Sequence, residues 1–134
     1  EWLQKQDFSL IKPEYTFGKS RFDFYLEKID KKTGKTEKIL MEVKGCTLEI
    51  DGIGYFPDAP TERGVKHLNE LAAAISEGYK GILVFVIQME GVFEVLPNRK
   101  THPEFAEALE NAKTSGVEVL FLQCRVKADE LEIV

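Results

Sequence analysis

Gly81-Ile82-Leu83-Val84-Phe85-Val86-Ile87 is an unbroken apolar run rich in β-branched residues, and no other stretch restricts the fold as strongly. A strand without polar alternation must be covered on both faces, which is the place of a central strand in a layered α/β sheet. The chain has 134 residues, 43% hydrophobic and 31% charged, which suits one soluble domain with its own core. No apolar run approaches the ~20 residues of a membrane span, so no membrane partner is expected.

Around this run the pattern gives an order of elements. Residues 8–17 read as extended, since Pro13 excludes a helix interior. Gly18 and Lys19 turn the chain into a second strand, Arg21 to Leu26. Alternation there places Phe22, Phe24 and Leu26 on one face and Arg21, Asp23 and Tyr25 on the other. The polar stretch Asp30–Lys35 contains Gly34 and makes a hairpin tip, with a returning strand from about Lys38 to Cys46. A turn-rich loop follows, from Asp51 to Pro60. Thr61 is the expected N-cap of a helix whose stripe is Val65, Leu68, Leu71, Ala72 and Ile75, and Gly78 stops it. After the central strand a second helix begins near Pro103 and ends at Gly116. Val117 to Cys124 is another buried strand, and the last residues form an edge strand. The expected fold class is therefore α/β: an antiparallel meander feeding a βαβ pair, a mixed sheet flanked by helices.

Two of these strands carry charge where apolar residues dominate. Asp23 lies between Phe22 and Phe24, and Glu42-Val43-Lys44 follows Ile39-Leu40-Met41. Ionised groups in an apolar strand are unfavourable unless a metal, a counter-charge or a substrate compensates their desolvation. Glu42 and Lys44 share a face, and Asp23 can lie beside Glu42 if the two strands pair. Two close carboxylates repel unless one protonates or a cation sits between them. Mg2+ or Mn2+ suits such oxygen donors, and the Val43 carbonyl can add a further ligand. The metal would polarise a phosphodiester while Lys44 steers water or stabilises charge. A half-exposed strand with a Glu–Lys surface pair worth under ~1 kcal/mol explains the same spacing, and spacing alone leaves both readings open.

The segment Pro57-Asp58-Ala59-Pro60-Thr61-Glu62-Arg63-Gly64-Val65-Lys66-His67-Leu68 weighs on the functional side. Arg63 and His67, at i and i+4, are expected to project from one helical face, opposite much of the apolar stripe, near a helix N-terminus suited to phosphate. Arg21 and Lys66 are further candidate nucleic-acid contacts, with Asp58 and Thr61 as supporting residues. In the plainer alternative Asp58 and Thr61 only cap, Arg63 pairs with Glu62 or Glu70, and His67 is solvated. His102 reads as a turn or cap residue. The formal net charge of −5 argues against general affinity for nucleic acid, so binding would need a local basic surface. Cys46 and Cys124 have no metal-ligand spacing and are expected as reduced, structural thiols of a cytoplasmic protein. No secretory signal is visible, and Glu1 stands where Met is expected, so the numbering is expected to begin inside a longer polypeptide.

Ser-Arg-x-Asp-Phe at Ser20–Phe24, Glu42-Val43-Lys44, the Phe56–Leu68 stretch and the late Gly116-Val117-Glu118-Val119-Leu120 together resemble the sugar fermentation stimulation protein A family, from about Glu14 onward. The resemblance implies a restriction-endonuclease-like domain of the PD-(D/E)xK superfamily, following an N-terminal OB-like domain that is expected to fall outside this sequence. It implies Asp23 and Glu42 as metal acids and Lys44 as the catalytic lysine, with Glu14 as a further ligand or supporting acid. Phe22 replaces the Pro of the superfamily motif. The resemblance also implies DNA binding and a link to sugar, notably maltose, metabolism. Three functions are carried forward: a Mg2+-dependent nuclease domain, a non-catalytic DNA-binding regulator keeping the same fold, and a protein-interaction or small-ligand domain with purely structural acids. Self-association is left open.

Overall fold

Six strands line up in the order β1-β2-β3-β6-β8-β9 in a computed structural model that describes residues 2–127 and 130–133. They are β1 (Leu10–Phe17), β2 (Ser20–Ile29), β3 (Thr36–Cys46), β6 (Lys80–Ile87), β8 (Glu118–Lys127) and β9 (Glu130–Ile133). β1, β2 and β3 form the antiparallel meander, β6 is parallel to both β3 and β8, and β9 returns antiparallel to β8. The mixed α/β sheet expected from the sequence is thus present. The apolar run Gly81–Ile87 does fill a central strand, because the chain must leave through a helix on each side to lie parallel to its neighbours.

Those helices are α1 (Glu62–Ser76) and α2 (Pro103–Ser115). Thr61 Oγ1 accepts from Gly64 N at 3.0 Å, so Thr61 is the N-cap anticipated for α1. Pro103 opens α2 and Gly116 closes it with φ +112°. Both helices pack on one face of the sheet, where Phe22, Tyr25, Leu40, Leu83, Phe85, Leu68, Leu71, Phe105 and Leu109 make the larger core. The other face buries Leu26, Ile39, Met41 and Val84 under Trp2, Leu3 and Phe8 from the segment before β1.

Two features depart from the sequence reading. A small second sheet was not expected: β5 (Ile53–Phe56), inside the stretch read as a loop, pairs with β4 (Leu48–Ile50) just before that stretch and with β7 (Val95–Pro97) after β6, in the order β4-β5-β7. Its strands are three or four residues long, too short for periodicity to register against Gly52, Gly54 and the following prolines. The second departure is that Phe22 does not share a face with Phe24 and Leu26. Phe22 and Tyr25 enter the helix-side core, and Phe24 and Leu26 the opposite one. β1 changes face at the same level, with Tyr15 and Phe17 on the helix side and Ile11 on the other. Between them Glu14 takes φ +53°, and regular pairing skips the Glu14–Asp23 level between Pro13↔Phe24 and Tyr15↔Phe22. A residue with positive φ reverses the pleat, so strict alternation cannot hold through it.

Candidate active site

The break in alternation falls at Asp23. Pairing between β2 and β3 ends at Phe24↔Met41, and side chains replace the ladder beyond it. The Val43 amide donates to Asp23 Oδ2 at 2.7 Å, and the Asp23 amide donates to Glu42 Oε1 at 3.3 Å. Each acid therefore satisfies a main-chain group of the other strand. This crossed arrangement holds the two carboxylates side by side, as the spacing suggested they could be.

Glu42 and Lys44 project to the helix side of β3, while Met41 and Val43 face the other core. Lys44 Nζ lies 3.3 Å from Glu42 Oε2. The same Oε2 is contacted by His67 Nδ1, from the second turn of α1. Glu42 is 2% exposed and His67 4%, so this contact is dry, whereas Asp23 stands at the surface. Burial pushes the Glu42 carboxyl up to about 7, with Asp23 adding to the rise and Lys44 opposing it. Burial pulls the His67 imidazole down to about 4, helped by the positive charges of Lys44 and Arg63. Near neutral pH a buried acid on the edge of ionisation faces a neutral imidazole.

The structure corrects the placement of His67. It does not emerge beside Arg63 toward solvent but lies in the buried row Gly64, His67, Leu68, Leu71 and Ala74, against the Phe22 ring at 5.6 Å. The signal was in the sequence, since His67 sits at i+3 from Gly64 and i−4 from Leu71, inside the apolar stripe. Arg63 and Lys66 are carried on the outer side of α1, and Arg21 is exposed on β2. Lys66 Nζ reaches the Lys19 carbonyl at 2.6 Å, tying the β1–β2 turn to the helix. Glu14 is exposed on the strand level opposite Asp23. Asp58 is exposed, and its charge acts on the buried Cys46 thiol, which burial chiefly pushes up. Both cysteines are buried. His102 is the N-cap residue of α2, and its Nδ1 accepts from the Thr61 amide at 3.1 Å. Among the described residues, no three His, Cys, Asp or Glu side chains gather as a ready-made metal cage. No described helix is long and apolar enough to cross a membrane.

Fold and site together define a mixed α/β domain that sets two carboxylates, a lysine and a buried histidine around one end of a central strand. The family model described as "Sugar fermentation stimulation protein RE domain" matches residues 1–130, and the chain belongs to that family. Sugar fermentation stimulation protein homologs from Desulfitobacterium hafniense (strain Y51) and Clostridium beijerinckii are each 50% identical to it. They cover 98% and 99% of this chain, which in turn covers 57% and 58% of theirs. The chain thus spans little more than half the length of these relatives. A solved structure described as Pyrococcus furiosus SfsA in complex with Ca2+ superposes with a TM-score of 0.83 at 29% identity, covering 98% of this chain and 55% of that one.

Proposed function

We propose that this domain is a nuclease-type, divalent-metal-dependent module acting on DNA, with a restriction-endonuclease-like core. The observation that carries the reading is the crossed pair Asp23–Glu42 with Lys44 on the same strand as Glu42, at the level where regular β2–β3 pairing stops. The donor set fits a hard cation: two carboxylates, one buried and one at the surface, with the Val43 carbonyl as a further oxygen source and Glu14 exposed on the strand level opposite Asp23. The Ca2+ of the archaeal relative supports a divalent ion, and Mg2+ or Mn2+ is the expected working one. When bound, it supplies Lewis-acid polarisation of a phosphodiester. Lys44 stabilises developing charge or orients water. Arg21, Arg63 and Lys66 supply the local positive rim that an overall charge of −5 requires for phosphate contact. Buried thiols fit a cytoplasmic setting.

One observation favours the second reading, a DNA-binding regulator of sugar metabolism without turnover: both Glu42 oxygens are already engaged, by Asp23, Lys44 and His67. Calorimetric Mn2+ and Mg2+ titration of wild type and Asp23→Ala, paired with a cleavage assay on mixed DNA and RNA, separates the two. The nuclease reading expects metal-dependent DNA cleavage that Asp23→Ala abolishes. Metal-independent, salt-sensitive DNA binding without cleavage supports the regulator. In that binding, Arg63→Ala should lower the slope of log affinity against log salt by about 1.

A further inference from the structure

We propose that His67 is a positioning residue for Glu42, donating from Nδ1 to Oε2 and so fixing the carboxylate that the metal reading makes a ligand. The inference rests on that reading for its consequence but on geometry for its substance. Glu42 offers two oxygens in a pocket from which water is excluded. Oε1 receives the Asp23 amide, and Oε2 faces Lys44 and His67. Lys44 alone would hold Oε2 weakly in direction, because an ammonium on a flexible stem can swing. An imidazole on a packed helix cannot.

Several contacts make α1 a rigid carrier for that imidazole. Gly64, one turn before His67, lets the helix approach α2 so closely that an added Cβ would lie 3.3 Å from the Phe105 ring. The Thr61 amide is held by His102 from the start of α2. The β1–β2 turn is held to the same helix by Lys66 through the Lys19 carbonyl. The Phe22 ring lies beside the imidazole. The groups facing His67 are therefore Glu42 and Phe22 from the sheet, with Lys44, Arg63 and Lys66 as the nearest positive charges and Asp23 as a further acid. Of these, Glu42 is the one in contact with Nδ1 and able to accept from it. A donor of this kind fixes carboxylate orientation and removes the need for solvent, as supporting partners of metal ligands generally do.

A neutral histidine free in water carries its proton mostly on Nε2, so the tautomer is a direct readout. Nitrogen-15 NMR of the metal-free protein at pH ~8.5, well above the ordinary histidine range, should show His67 protonated at Nδ1, and Glu42→Ala should shift it toward the Nε2 form. An Nε2-protonated His67 in the wild type overturns the proposal. Mn2+ titration supplies the second arm. His67→Leu, which keeps volume and removes the donor, should weaken Mn2+ binding by about 10- to 100-fold, while His67→Gln, which can still donate, stays within about threefold. Equal binding by wild type and His67→Leu, with Glu42→Ala abolishing it, overturns the positioning role and leaves the metal reading standing. Unchanged binding by Glu42→Ala overturns the metal reading, and the tautomer then decides the His67–Glu42 bond alone. Should His67→Leu fail to fold, the wild-type tautomer and His67→Gln still decide.

Discussion

Protonation of Glu42 and of His67 affects stability in opposite directions. Glu42 holds its proton more tightly in the folded chain, from an ordinary 4.5 to about 7, so stability falls as the pH rises through that interval. His67 holds its proton less tightly when folded, from 6.5 down to about 4, so stability rises with pH through that interval. From about pH 4.5 to 6.5 the two slopes oppose each other in the metal-free protein. His67→Leu removes the rising branch. The stability difference between wild type and His67→Leu should therefore grow with pH from about 4 to 6.5, as urea unfolding across that range can measure. A constant difference would mean that the histidine is not held neutral by the fold. On the proposed reading, in which Glu42 is a metal ligand, binding needs its carboxylate, so Mn2+ affinity should also rise as the pH passes about 7.

At the scale of elements, α1 carries the histidine that touches Glu42, and its position depends on Gly64. A methyl group there would sit 2.8 Å from Thr61 Cγ2 and 3.3 Å from the Phe105 ring. Alanine is the better helix former by about 1 kcal/mol, but overpacking of this kind costs about 1–3 kcal/mol. Gly64→Ala should therefore be neutral to destabilising by up to about 2 kcal/mol in urea unfolding and should disturb the Glu42–His67 contact. A clear gain in stability would show that α1 can retreat freely. The boundaries of α1 and α2 were readable because caps and stops are local: Thr61, Gly78, Pro103 and Gly116 act through their own backbone. The convergence of Asp23 with Glu42-Val43-Lys44 was readable from charge in apolar strands. What escaped was set by other segments. The burial of His67 was legible in the stripe of α1, but its partner Glu42 arrives from β3. The face change at Phe22 depends on the backbone of Glu14, and a period-2 pattern carries no mark of it.

The whole molecule is covered unevenly. Both helices lie on one side of the sheet, and the other side relies on the short segment before β1. Trp2, Leu3 and Phe8 close over the region of Met41 and Val84, directly behind the strand that bears Glu42. Deleting residues 1–8 should lower stability by a few kcal/mol, since Trp2, Leu3 and Phe8 are partly buried and each contributes less than the roughly 1.5–3 kcal/mol of a fully buried large apolar side chain. The same deletion should increase binding of a hydrophobic dye. Unchanged urea unfolding after the deletion would show that this face needs no cover. Because the strands at the site share both cores, loosening the far face should also weaken metal binding.

Glu14 gives the fold a stability deficit at a telling address. An L-residue in the left-handed region is unfavourable by about 1–2 kcal/mol, and glycine would relieve most of that, less the ~0.5–1 kcal/mol it loses in a strand. The sheet instead keeps an acid on the strand level opposite Asp23. Glu14→Gly should leave the protein as stable as before or up to about 1 kcal/mol more so, while weakening Mn2+ binding. A variant that gains in folding and loses in binding would mark this position as one where the chain trades robustness for a charge beside its site.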